Sequence, residues 1–239
     1  MSMLTETAPE SVRCVRRERV APWWHTAIIV GVLVLWAVYG ALRAKVGIVS
    51  DSPRWLRYSA QMMILWLMTG TTIAGLYHRR RFLRGVIGKF EWARDIGTGV
   101  LIFVAGMILL GVVGVALQPL HLSRHHDAVV ALGPRTYMEL AIWMLVSASA
   151  GICEEFLFRG YLLRQVLHSS GSSVVAVAAT ATLFGCMHVY EGTAAAIQIG
   201  ALGALLGAVA VNRGRLRQVI IAHFLQDAVA GLMLFYRHP

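Results

Sequence analysis

Glu154, Glu155 and Arg159 stand in the stretch Cys153-Glu154-Glu155-Phe156-Leu157-Phe158-Arg159-Gly160, inside an otherwise apolar run. Ionisable groups at membrane depth are costly, so they face a bundle interior and serve a function. Residues four apart on a helix share a face. Arg159 therefore holds Glu155 ionised and fixed, as a supporting pair. Glu154 points about 100° away and is left free for another partner. Phe184-Gly185-Cys186-Met187-His188 places Phe184 and His188 on one face, and His223-Phe224-Leu225-Gln226-Asp227 does the same for His223 and Asp227. Glu154 lies 17 residues before Gly171 and His188 lies 17 after it, so a helical hairpin turning there brings the two level. One pocket would satisfy Glu154, His188, His223 and Asp227 together, whereas separate burial would leave several polar groups unpaired.

A carboxylate with a histidine can hold and deprotonate a water. A second histidine and a hydrogen-bonding side chain can stabilise the oxyanion of an amide under attack. The set suits peptide hydrolysis without a covalent intermediate. Cys186 and His188 are two apart and face nearly opposite ways, and Cys153 has no local base, which argues against a thiol enzyme. No HExxH and no GxSxG occurs.

The elements that must position these groups are membrane helices. Of 239 residues, 57% are hydrophobic and 14% charged, against about 25% charged in a soluble domain. The apolar residues gather in blocks of about 20, the length of a spanning helix. The expected fold class is all-α, a polytopic transmembrane bundle of about seven to eight helices. A polar basic segment, 1–20, precedes a single integral membrane domain, 21–239, with a catalytic core at 136–236. The spans fall near 24–42, 59–77, 98–117, 136–167, 174–189, 193–211 and 218–236. From Thr136 the helical pattern runs unbroken past Glu154. Gly200, Gly203, Ala204 and Gly207 line one side of the sixth span and allow close packing. Arg79 to Arg84, followed by Lys89 and Arg94, interleave with Phe82, Val86, Ile87 and Phe90. This pattern fits either an amphipathic helix lying on an anionic leaflet or a charged loop. In the loop 118–135, His125 and His126 are adjacent and point apart, which speaks against a metal site there.

The net charge of +10 points to cytoplasmic loops rather than to nucleic acid. With the N-terminus inside, 15 of the 22 Lys and Arg fall on the cytoplasmic side. Cys14, Cys153 and Cys186 form no disulfide framework.

EExxxR, then FxxxH, then HxxxD, each on a transmembrane helix, resembles the CPBP family (CAAX protease and bacteriocin-processing, or Abi), best known for type II CAAX prenyl endopeptidases. The resemblance covers roughly residues 136–236. It implies an intramembrane, metal-independent glutamic-type endopeptidase that needs no cofactor and acts on membrane-associated peptides or proteins in the bilayer. By motif position Glu154 resembles the general base and His188 its partner in positioning water. His223 and Asp227 resemble the oxyanion stabilisers, and Glu155, Arg159 and Phe184 supporting residues. Position 227 is often Asn in the prenyl proteases; Asp227 donates a hydrogen bond only when protonated, or else orients His223. The Ala/Gly/Arg-rich chain reads as bacterial, in the cell's inner membrane.

Other readings stay open on sequence. A non-catalytic immunity factor or scaffold of the same family would carry the same residues. A proton-coupled transporter would use buried acids, but no inverted repeat or pair of broken helices supports one. Two histidines with one or two carboxylates could hold zinc. Against zinc, His188 has no acidic neighbour within one turn before it to fix its ring, and Asp227 is the only obvious acceptor near His223.

Overall fold

The computed structural model describes residues 19–46, 52–88 and 91–237. The basic segment 1–18 with Cys14, and the pair Lys89 and Phe90, lie outside the described residues, as do the side chains of Ile87, His126 and Asp127. The architecture is an all-α bundle. Its helices are α1 Trp23–Val46, α2 Arg54–Ala74, α3 Arg79–Ile87, α4 Trp92–Ala116, α5 His126–Leu132, α6 Tyr137–Glu155, α7 Leu163–Ser170, α8 Ser173–Cys186, α9 Thr193–Arg213 and α10 Arg217–Arg237.

The helix of the EExxxR motif runs on as expected, from Tyr137 to Ser170, with one change. Phe156–Leu162 winds as a π-helical turn joining α6 to α7. Wider turns of this kind re-aim side chains and recur at functional sites. The rod starts at a capped end: the Thr136 hydroxyl accepts from the Glu139 amide at 3.1 Å, and Glu139 accepts from the Arg135 amide at 2.8 Å. It stops at Gly171, whose φ of +65° suits a residue without Cβ. Ser172 then caps α8 by accepting from the Val175 amide.

Among the described residues, five helical stretches are long and apolar enough to cross a bilayer: Trp23–Arg43, Trp92–Ala116, Tyr137–Ser170, Thr193–Arg213 and Arg217–Arg237. The expected second and fifth spans differ from this pattern. α2 has the length but carries Arg54, Arg57, Gln61 and several threonines along it. α8 is apolar but only 14 residues long and ends at Cys186, so His188 sits on the turn beyond it.

α6 packs between α2 and α10; α10 also packs on α4, and α9 lies along α8 and α4. Small residues set the spacing. A Cβ on Gly151 would lie 3.1 Å from the Ile220 carbonyl and 3.2 Å from the Phe224 amide, so α6 and α10 meet backbone to backbone. The glycine face of α9 performs as expected: Gly200 approaches Ala181 and Gly185 of α8, and Gly207 meets Val177. The Trp143 indole donates to the Asp227 carbonyl at 2.9 Å, fixing the register of α6 on α10.

The arginine-rich α3 is helical, but its apolar face turns inward. Val86 is buried, and Phe82 packs edge-on to Phe156 at 6.0 Å. Arg79, Arg80, Arg81 and Arg84 are exposed at that end of the bundle. Two buried polar clusters brace the same end. Asp95 at the start of α4 accepts from Arg217 at 2.8 Å and also from Gln218. Gln165 binds the backbone of Val20 and Ala21, and Tyr161 hydrogen-bonds His25 and Thr26, which ties α1 to α7.

Candidate active site

Glu155 is fully buried, and its Oε1 accepts two bonds at 2.8 Å, from Arg159 Nη1 and from His223 Nδ1. The Glu155–Arg159 pair is as the four-residue spacing requires. The bond to His223 was not foreseen, because it joins helices 68 residues apart in sequence. Arg159 is itself almost fully buried. It donates to the Gly203 carbonyl at 3.0 Å and lies 4.5 Å from the Phe184 ring centroid, over its face. Gly203 is small by necessity: a Cβ there would come within 3.1 Å of Phe184 and 3.3 Å of Arg159.

A carboxylate only accepts, so the bond from Glu155 places a proton on His223 Nδ1. The other ring nitrogen, Nε2, then faces two more carboxylates: Glu154 at 3.9 Å and Asp227 at 3.6 Å. Both are too long for hydrogen bonds. They leave His223 between three acids, one of which is also bound by the Arg159 guanidinium. Glu154 lies away from Glu155 and is not bound to Arg159, as its position on the helix implies.

His188 arrives through Phe184. Its Nδ1 donates to the Phe184 carbonyl at 2.9 Å, which leaves Nε2 for a second partner. The rings of His188 and Phe184 are 5.0 Å apart, and Phe184 meets His223 edge-on at 6.0 Å. Phe184 is thus the shared wall behind both histidines and Arg159. His188 makes no direct hydrogen bond with Glu154. Tyr190, one turn on, stacks against His188 at 6.1 Å. Burial pushes the Tyr190 phenol well above its ordinary value, and the carboxylates of Glu191, Glu154 and Asp227 add to that shift.

Both imidazoles therefore have a fixing acceptor at Nδ1, a backbone carbonyl for His188 and Glu155 for His223. This corrects the expectation that His188 has no fixing acceptor and that Asp227 is the one for His223. Among the described residues, no three His, Cys, Asp or Glu side chains are grouped to hold a metal ion. Cys153 is buried. Tyr190 and the Glu155–His223 bond do not follow from the sequence pattern; the packing of α10 on α6 and of α8 on the π-helical turn reveals them.

Residues 136–229 match the family described as type II CAAX prenyl endopeptidase Rce1-like. No curated protein and no solved structure matches the chain. The matched segment runs from the cap of α6 into α10 and contains Glu154, Glu155, Arg159, Phe184, His188, His223 and Asp227. Over that segment the chain resembles a CAAX-type membrane protease family, as its three motifs indicate.

Proposed function

We propose that this chain is an intramembrane endopeptidase in which a water activated by Glu154 and His188 attacks a peptide bond, without a metal ion. The observation that carries the reading is the clamped His223, held by Glu155 at Nδ1 with Nε2 turned toward Glu154 and Asp227.

Neutral His188 offers Nε2 as an acceptor, so a water donating one O–H to it and the other to Glu154 directs its lone pair at the scissile carbonyl. Glu154 takes the first proton as the C–O bond forms. The charge that develops on the carbonyl oxygen falls to His223, which donates from Nε2 as an imidazolium. The Glu155 anion at Nδ1 stabilises that cation, and Arg159 keeps Glu155 ionised. Protonated Glu154 then returns its proton to the departing amine as the C–N bond breaks, so acid and base are the same carboxyl. Asp227 lies beside Nε2 and completes the orientation of His223.

The substrates in this reading are membrane-associated peptides or proteins. Comparing membrane proteomes of cells carrying the wild-type chain and Glu154→Gln tests it. Cleaved peptides present with the wild type and absent with the variant are expected. Identical peptide sets at equal protein levels would overturn it.

A further inference from the structure

We infer that substrate reaches the catalytic groups from the face of the bundle opposite the arginine-rich end. If the arginine-rich end is cytoplasmic, the substrates are peptide segments presented outside the cytoplasm. This inference rests on the protease reading for the word substrate; the direction of access is a property of the fold alone.

Three observations converge. The first is a gradient of exposure through the site. The side chains of Glu155 and Arg159 are 0% and 1% exposed, His223 is 8%, Glu154 is 19% and Asp227 is 35%. On α10 this sequence points away from Arg217, because Asp227 is about 15 Å further along the helix at 1.5 Å per residue. A carboxylate that is one-third exposed in the middle of a spanning helix faces water rather than lipid, given the cost of charge in hydrocarbon.

The second observation is a plug on the other side. Between the site and the arginine-rich end lie Phe158, Leu162, Leu206, Leu216 and Val219, all buried. Below them Asp95, Arg217 and Gln218 lock α4 to α10. The Leu216 amide donates to the Val86 carbonyl, which closes α3 over that end. A peptide would have to part all of these contacts to reach Glu154 from there.

The third is the shape of the opposite rim. α8 ends early, so His188, Tyr190 and Glu191 sit on a turn rather than in a full-length helix, and all three are partly exposed. The loop that holds this turn is polar: His125 donates to the Tyr190 carbonyl at 2.9 Å, and Ser123 meets Thr193 at 3.0 Å. Among the described residues Arg79, Arg80, Arg81, Arg84, Arg94, Arg213 and Arg215 crowd that end, the bias expected of a cytoplasmic face. A prenylated tail made in the cytoplasm would then meet the plugged face.

The test reads geometry and needs no turnover. In a chain with Cys14, Cys153 and Cys186 changed to Ser, single cysteines are placed by Asp227→Cys, Glu191→Cys and Arg80→Cys. Right-side-out and inverted membrane vesicles are treated with a charged, membrane-impermeant methanethiosulfonate. Asp227→Cys and Glu191→Cys should react at least tenfold faster from the face opposite the one that labels Arg80→Cys. Reaction of Asp227→Cys from the same face as Arg80→Cys would overturn the inference. So would no reaction from either face when the thiol reacts after denaturation. If Asp227→Cys does not accumulate, Glu191→Cys decides alone, since Glu191 lies on the rim, outside the catalytic set. A non-catalytic protein would give the same labelling pattern, so failure here and failure of the protease reading are distinguishable.

Discussion

Arg159→Ala removes one member of a pair whose side chains are 1% and 0% exposed. The remaining Glu155 carboxylate would be buried with only His223 to neutralise it. Breaking a buried ion pair from one side costs about 3–5 kcal/mol, most of it the penalty of the charge left behind. The lost bond to the Gly203 carbonyl and the lost contact with the face of Phe184 belong to the same group and do not add in full. For a chain of this length, about 2–4 °C per kcal/mol gives a fall of roughly 6–20 °C in the apparent unfolding midpoint in detergent. The double variant Glu155→Gln/Arg159→Met removes both charges and keeps similar volumes, so it should regain more than half of the lost stability. It should not regain activity. The Gln amide oxygen can still accept from His223 Nδ1, but no anion remains to hold the imidazolium. Thermal unfolding followed by size-exclusion recovery measures the first effect, and peptide turnover the second. The reasoning fails if Arg159→Ala is as stable as the wild type, or if the double variant is no more stable than Arg159→Ala.

Glu154→Gln should leave the protein folded and turnover below detection, because the amide keeps the shape and loses the base; normal turnover would remove Glu154 from the mechanism. His188→Ala and His223→Ala should each abolish turnover, while Cys14→Ser, Cys153→Ser and Cys186→Ser keep it. Inactivation by a thiol alkylator that Cys186→Ser cures would revive a cysteine mechanism. Asp95→Ala should destabilise by several kcal/mol by breaking its buried ion pair with Arg217, and Asp95→Leu/Arg217→Met should restore part of that in the same unfolding assay. Purified protein should carry no stoichiometric metal and keep its activity after chelation. One zinc per chain, with activity lost to a chelator and restored by zinc, would turn the histidines into ligands.

Local spacing made part of the site legible. Glu155 with Arg159, and His223 near Asp227, are four-residue neighbours, and the helix period alone places each pair together. The convergence of three helices followed from cost: isolated acids and histidines in apolar spans are expensive unless they share a pocket. What period and cost do not encode is which acid meets which histidine. Glu155 was assigned wholly to Arg159, yet a carboxylate has acceptor capacity for several donors. His223 takes the second share of the same oxygen. The acceptor for His188 was sought among acidic side chains, and it is the carbonyl of Phe184 in the last turn of α8. That carbonyl becomes available because α8 stops at Cys186, a boundary that the apolar pattern through Val189 conceals. Asp95 and Gln165 went unnoticed for a related reason. Each sits near a helix end, where polar residues are expected to face headgroups, and their burial appears only once α4, α10, α1 and α7 are packed.

The two Nδ1 partners bear directly on mechanism. Each ring is fixed at Nδ1, but by partners of different charge. His188 has a neutral carbonyl as its partner. His223 has an anion as its partner and two more carboxylates beyond Nε2. The substitution Glu155→Gln isolates this asymmetry. It preserves an acceptor for His223 and an oxygen for Arg159, and removes only the charge. If the division of labour is right, Glu155→Gln should depress kcat by at least tenfold and leave KM within about twofold, since a stabiliser of developing charge acts in the transition state alone. An equal fall in kcat/KM carried entirely by KM would instead make Glu155 a residue that shapes the binding site, and His223 would then have no need of its anion.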